Sequence, residues 1–482
     1  MAFTELVDKL PSGSRNLNTS PWTVSGLKGD QFDYSFMVFC DSGSTTNGDL
    51  EVTLNSDVST NYEHYRMQGR TTNQEVTSST GLNAMDFPQA TRSASSRNTL
   101  IVGTLQGESG NERYVTTLYS SGYNPRIMQS RFIWTNTIDE LTSVTFTGGV
   151  SASYTWEIYV WAVPKLNNND NWELVDTLSW SASSTEQSFT GLDGDTSKYF
   201  KLLWDSQDAE LQVEINNDAT AAYKREQVRN TGSAFTATSG TDNNILVERS
   251  GMLSINAETG DERTSIGIHG GDGTNKQFIR ANWHTDTATE LTSLYCTPSA
   301  PTTATTKLFR SKYPSSCIPD MFDLPFEKVD EFSVNSEDFT SGHTFSNLNG
   351  DSVVLYRLEW KGLKDNLSLN VRTNGDSGAS DFAWQRLTGS GTAESAASDT
   401  ADTSLRWIQG GDTAEQAHGV MYIYPQSGEY RPALSYMMCD ENEIELAAGW
   451  RLDTATEITS INVYATATTT VNGTFTLSAI YL

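Results

Sequence analysis

Imidazole titrates near neutrality, so the five histidines are the first place to look for acid–base or nucleophilic chemistry. His64, His269, His284, His343 and His418 are scattered, and none falls in a Gly-x-Ser-x-Gly, Cys/His or HExxH arrangement. Their spacing neither pairs a base with a nucleophile nor gathers metal ligands. Paired carboxylates are the alternative, since two suffice to hydrolyse a glycan. Among 60 acidic residues the suspects are those that recur: Glu140, Glu290 and Glu457, each followed by Leu or Ile, then Thr and Ser. A catalytic acid has no need of three copies in one chain, whereas a glutamate that caps or pairs within a turn does. No residue is assigned a catalytic, cofactor-binding or metal-ligating role, and the expectation is a chain that is not an enzyme.

Two further chemistries deserve a place. Asp193-Gly-Asp195 and the turns Asn55/Asp57, Asn216/Asp218 and Asn374/Asp376 offer the hard oxygens that calcium takes. Lys28 and Asn349 replace Asp193 in the matching turns and no EF-hand loop is present. The turns are therefore read as metal-free, with calcium the one cofactor left open. Aromatics can stack on sugars. Trp134, Trp283 and Trp450 recur and are read as the same core or interface plug in each copy. A bound glycan is instead sought at Trp384 and Trp407, in stretches that do not recur.

The elements that must position these residues are written three times. Trp134-Thr-Asn-Thr-Ile-Asp-Glu140-Leu-Thr-Ser returns from Trp283 to Ser293 and from Trp450 to Ser460. Each copy opens on Glu5-Leu-Val-Asp8, Glu173-Leu-Val-Asp176 or Glu327-Lys-Val-Asp330. A Gly-Asp turn follows at Gly29-Asp30, Gly194-Asp195 and Gly350-Asp351, where positive φ is expected, and then a strand marked by Tyr34, Tyr199 or Tyr356. The Asn-x-Asp turn leads to Tyr62, Tyr223 or Phe382 and then to Arg66, Arg225 or Arg386. Unmatched Ser/Thr/Gly-rich stretches, Thr71–Ser96, Asn230–Asn244 and Gly389–His418, read as loops on one rim. Gly110-Asn-Glu-Arg113, Gly260-Asp-Glu-Arg263 and Gly428-Glu-Tyr-Arg431 form the last turn before the recurring tryptophan motif. Trp156-Glu-Ile-Tyr-Val-Trp161 has large residues on both faces, as a strand buried on both sides would. The predicted fold is all-β: three tandem antiparallel jelly-roll-like sandwiches at 1–165, 172–310 and 326–482, joined by linkers 166–171 and 311–325.

Totals agree with that division. A chain of 482 residues suits three or four domains of ordinary size. A net charge of −28 repels phosphate backbones and anionic lipids, so neither nucleic acid nor a membrane is an expected partner. Cys40, Cys296, Cys317 and Cys439 fall at unrelated points of the copies and are read as buried or half-buried thiols, not as a disulfide framework. No signal peptide or membrane-spanning apolar run is legible, so synthesis in a cytoplasm is expected.

The set Glu-Leu-Val-Asp, Gly-Leu-Asp-Gly-Asp, Asn-x-Asp then Tyr, Gly-Asp-Glu-Arg and Thr-Glu-Leu-Thr-Ser resembles β-sandwich modules of structural and tail-fibre-type proteins in tailed, often marine, bacteriophages. The resemblance runs copy by copy over nearly the whole chain and carries no catalytic residue. It implies a virion-surface protein, a head decoration, collar or tail-associated appendage, released by lysis of the host in whose cytoplasm it is made. Its partners would be capsid, portal, collar or tail subunits and, in the alternative, a host surface glycan bound by the variable loops; self-association is a further option. A glycan hydrolase is the third reading.

Overall fold

The computed structural model describes residues 5–41, 49–70, 73–87, 98–107, 109–110, 112–121, 126–149, 154–164, 172–206, 209–220, 223–230, 235–247, 251–257, 259, 263–270, 277–284, 286, 288–311, 322, 324–364, 368–378, 380–390, 393–408, 415–428, 430–439, 443–466 and 470–481. Among them strands dominate, and the sole helical element is a 3-10 turn at Gly350–Ser352. No helix there is long and apolar enough to cross a membrane.

The first repeat runs through β1 (Glu5–Arg15), β2 (Trp22–Ser25), β3 (Phe32–Asp41), β4 (Leu50–Leu54), β5 (Tyr62–Arg70), β6 (Asn73–Leu82), β7 (Met85–Phe87), β8 (Thr99–Leu105), β9 (Arg113–Ser121), β10 (Arg126–Trp134), β11 (Ser143–Gly148) and β12 (Tyr154–Pro164). They build an eight-stranded sheet, β1-β12-β3-β8-β9-β10-β5-β6, and a four-stranded sheet, β2-β11-β4-β7. The same two orders recur in residues 172–311 and again in 327–481, giving six antiparallel sheets in three like pairs. Alternation explains the pairing: β11 reads intermediate–buried through its length, with Val144, Phe146 and Gly148 inward. Ser293–Pro298 and Ser460–Ala465 repeat that pattern. Each pair encloses its own apolar cluster, centred on Trp134 and Trp156, on Trp180 and Trp204, and on Trp360 and Trp407.

The opening motif marks a bulge. Pairing slips between Leu6 and Asp8, Leu174 and Asp176, and Lys328 and Asp330. Each aspartate accepts the next residue's N–H at 2.8, 2.7 and 2.8 Å. A bulge and a charge on an outermost strand disfavour edge-to-edge pairing.

Two expectations change. The Ser/Thr-rich stretches are not loops where the structure describes them: β6, Phe235–Asp242 and Ala393–Asp402 are the outermost strands of the large sheets. Among the described residues, none of them has a hydrogen-bonded strand on its outer side. Positive φ falls at Gly26, Gly191 and Asn347, at the head of the turn and not at its second glycine. Gly29 is required for a different reason, since a Cβ there would stand 2.6 Å from Leu141 Cβ.

Candidate functional site

The recurring residues converge at one end of each sheet pair, where the Gly-Asp, Asn-x-Asp and Glu-Leu-Thr-Ser segments meet the arginines Arg113, Arg263 and Arg431. Asn55, Asn216 and Asn374 take φ of 53°, 54° and 55°, the left-handed region that asparagine tolerates. Asn55 Oδ1 accepts from the Thr142 and Ser143 N–H groups at 2.7 and 3.1 Å, and Nδ2 donates to Glu140 O at 2.7 Å. Asn216 makes the same three bonds at 2.8, 3.1 and 2.7 Å, and Asn374 at 2.8, 3.2 and 2.6 Å. Two residues on, Asp57 accepts from Trp134 Nε1 at 2.8 Å, Asp218 lies 3.1 Å from His284 Nε2, and Asp376 accepts from Arg451 Nε at 2.7 Å. Burial raises the Asp57 carboxyl, but hydrogen bonds from Ser59, Asn61 and Trp134 outweigh it and bring the pKa down to about 2.

The arginines lock the facing loop. Arg113, Arg263 and Arg431 are 0%, 1% and 1% exposed, and donate to the carbonyls of Asn136 and Asp139, of Asp286, and of Asp453 and Thr456. Asp30, Asp195 and Asp351 each accept a backbone N–H from the arginine's turn, Ser109, Thr259 and Ser427, at 2.8, 2.9 and 2.7 Å. Glu140 and Glu457 face the Asp30 and Asp351 N–H groups at 3.5 and 3.4 Å, which is the turn-pairing role expected of them. Asp193 Oδ1 accepts the Thr196 N–H at 2.8 Å. Among the described residues no three His, Cys, Asp or Glu side chains gather as a metal site.

Register corrects the matching of repeats. Trp134 stands opposite Tyr62 and Arg113, His284 opposite Tyr223 and Arg263, and Arg451 opposite Phe382 and Arg431. Trp134 thus corresponds to His284 and Arg451, while Trp283 and Trp450 sit one residue earlier on the opposite face. Trp134 stacks on Tyr62 inside the sandwich beneath Arg113; Trp450 leaves the sandwich and donates to Asn98 O of the first repeat at 2.8 Å. The Trp283 side chain lies outside the described residues. Tyr34 is likewise matched by Phe200 and Tyr356, not by Tyr199, and Arg66 and Arg386 by Gln227, not Arg225. The tyrosine slip follows from a first-repeat turn one residue shorter than its sisters, whereas the tryptophan slip is a shift of the aromatic by one position along the strand, with the turn unchanged in length.

The other singled-out residues are structural. His64 stacks on Phe132 at 4.4 Å and His343 on Phe332 at 3.8 Å. Burial drives the pKa of His64 and His418 down to about 3. The His269 side chain, Cys317 and the Cys439 side chain lie outside the described residues; Cys40 and Cys296 are fully buried. Trp384 is 8% exposed with its Nε1 on Asp402 at 2.7 Å, and Trp407 is 0% exposed against Phe475. Both are core residues, so the stacking surface expected there is not available.

Motif reading missed a fourth apolar cluster, which joins the repeats. Met67, Val228 and Leu387, at matching positions of β5, Tyr223–Asn230 and Phe382–Ser390, all belong to it. A Cβ on Gly69 would stand 3.1 Å from Leu387 Cβ, so two of these hairpins meet at the backbone. Most of the cluster lies between the large sheets of the first and third repeats, where Phe39 stacks on Tyr424 at 4.0 Å. Buried Glu157 accepts hydroxyls from Tyr159 at 2.6 Å and from Tyr424 across the junction at 2.7 Å. Asn98 Nδ2 donates to Tyr430 O at 2.9 Å. The signal for this was the double-sided strand: Trp156, Ile158 and Val160 face the sandwich core, while Tyr159 and Trp161 face the third repeat.

No protein-family model matches the chain, and no curated protein is similar to it in sequence. Structural comparison finds a chain of the lipid-containing bacteriophage PM2, 9% identical over 98% of this chain and 100% of that one, with a TM-score of 0.09. OpdQ of Pseudomonas aeruginosa is 8% identical, covers 90% and 97%, and has a TM-score of 0.11. The C2A and C2B domains of extended-synaptotagmin 2 give 8%, 63% and 98%, with a TM-score of 0.11. Superposition this poor carries no argument about fold or function.

Proposed function

We propose that the chain is a non-enzymatic structural protein of a tailed-phage virion surface, a head decoration, collar or tail-associated appendage. In this reading each sheet pair is a jelly-roll sandwich, at 1–165, 172–310 and 326–482, whose large sheet is widened by two inserted hairpins, β5–β6 and β9–β10 in the first. The observation that supports it is the employment of the recurring polar residues. Asn55, Asp57, Arg113, Asp30 and their counterparts are each engaged in fixing a turn, as a scaffold requires and a reactive site does not. The buried junction between repeats adds a rigid, non-extended outline, which suits a compact knob or collar better than a fibre shaft. The test is to quantify the protein in purified particles by mass spectrometry and to locate it there by antibody labelling. A fixed copy number at one position is expected. Its absence from particles, or turnover of host polysaccharide abolished by changing one carboxylate, overturns the reading.

A further inference from the structure

The linker read from the sequence at 311–325 ends in Phe322, Leu324 and Pro325, and Phe326 follows it before the first strand of the third repeat at Glu327–Asp338. A spacer between the second and third repeats has no reason to touch the first, yet this one is buried where the first and third meet. Phe322 is 1% and Leu324 6% exposed, and both belong to the junction cluster. Ser35 Oγ, on β3, donates a hydrogen bond to the Phe322 carbonyl. The Phe322 ring meets Tyr422 of the third repeat edge-on at 5.8 Å, and Phe326 leans on the same tyrosine at 6.0 Å. The Arg357 guanidinium lies 4.6 Å over Phe326 and 3.1 Å from Glu359, a buried pair on the same face. Ser35 pairs with Thr104 and Arg357 with Tyr422, the same register position in the two repeats. The segment therefore grips both sheets at equivalent points.

We propose that Phe322 and residues 324–326 form a latch: the stretch that leads out of the second repeat fastens the first repeat onto the third. The latch fastens the junction from one side; without it the first and third repeats keep only their direct contacts, Phe39 on Tyr424, Glu157 with Tyr424 and Trp450 with Asn98. This assignment is independent of the virion reading, because it concerns how the repeats are held and not where the protein acts.

The test uses the full chain carrying Phe322→Ala with Ser35→Ala, followed by small-angle scattering and by the separation of dyes placed on the first and third repeats. A compact chain of this length has a radius of gyration of about 23 Å. The variant is expected to expand by several Å and to lengthen the dye separation, while far-ultraviolet circular dichroism stays that of intact sheets. A disulfide between Asn98→Cys and Tyr430→Cys, set across the same junction, is expected to restore the compact form. Unchanged dimensions in the variant overturn the latch. If the alanine variant unfolds, Phe322→Leu and the disulfide-bearing variant decide: global unfolding that the disulfide leaves untouched also overturns it.

Discussion

Replacing Asn374 by alanine removes a clamp and leaves a backbone that alanine tolerates poorly. The carboxamide accepts two N–H groups, from Thr459 at 2.8 Å and Ser460 at 3.2 Å, and donates to Glu457 O at 2.6 Å. Thr459 is exposed and water replaces that partner, so the loss there is about 1 kcal/mol. The Ser460 and Glu457 groups are partly buried, and orphaning them adds about 1 kcal/mol or more. Holding alanine at φ 55° costs about 1 kcal/mol beyond asparagine. The sum is about 3 kcal/mol, or a melting-point drop of about 6–12 °C for a unit of this size. Asn374→Gly separates the two causes, because glycine carries no left-handed penalty: it is expected to lose about 2 kcal/mol and so to lie about 1 kcal/mol above the alanine variant. Urea unfolding followed by tryptophan emission and by far-ultraviolet circular dichroism measures both. Asn55 and Asn216 make the same bonds and act as internal replicates. Glycine variants as stable as the parent would falsify the clamp, and alanine and glycine variants of equal stability would remove the backbone contribution.

The titrating groups give predictions of opposite sign. His418 is buried at the junction, and burial, with the Lys361 charge adding, holds its pKa at about 3; the unfolded chain binds that proton near pH 6.5. The stability it contributes is present above pH 6.5 and is lost as pH falls, by about 2–3 kcal/mol at pH 4.5. His418→Gln is expected to flatten the dependence of the urea midpoint between those values. Asp86 is raised to about 7 by burial, with Asp49 adding and Arg66 opposing. Its protonated form is favoured below the unfolded value, and that stability is lost as pH climbs through 7. Asp86→Asn should therefore gain stability at pH 8 relative to the parent and gain none at pH 4. Tyr424→Phe leaves Glu157 with one hydroxyl fewer and is expected to cost about 1–3 kcal/mol. That loss should appear in the first and third repeats and not in the second, as read by hydrogen exchange.

Much of the fold was legible because alternation and turn chemistry are local. Val144 and Phe146, Leu294 and Cys296, and Ile461 and Val463 declare their inward faces in sequence, and all are buried. The Asn-x-Asp turn is equally plain, since its asparagine does locally what no other side chain does as well. What failed was register. Trp134 and Trp450 look alike in sequence but lie on opposite faces, because Trp450 sits one strand position earlier than Trp134 while the turn before Glu140 and Glu457 keeps its length. Trp384 and Trp407 looked free to meet a ligand because their surroundings do not recur; in the structure those surroundings are strands, and the rings fill the core. The junction was illegible for a further reason. Its members are distant in sequence, and nothing in the spacing of Glu157 and Tyr424 announces that they meet.

The junction also explains why three like repeats need not stay alike. In a symmetric trimer of separate chains, any residue facing a neighbour must satisfy every copy of the same contact. Joining the copies lifts that constraint. The position of Tyr424 is held by Gln106 in the first repeat and by Asn256 in the second. That of Glu157 is held by Thr305 and Thr474. The Tyr424–Glu157 bond thus exists once, between two particular repeats, and would be lost if either residue were exchanged for its counterpart. Ser35 and Arg357 diverge in the same way, to Lys201 in the second repeat, where the ammonium lies 5.1 Å over the Trp172 ring. The recurring end keeps its residues because each sandwich must close the same turns by itself. The large-sheet faces of the first and third repeats carry different residues because they meet each other in unlike contacts, so their divergence follows from the packing.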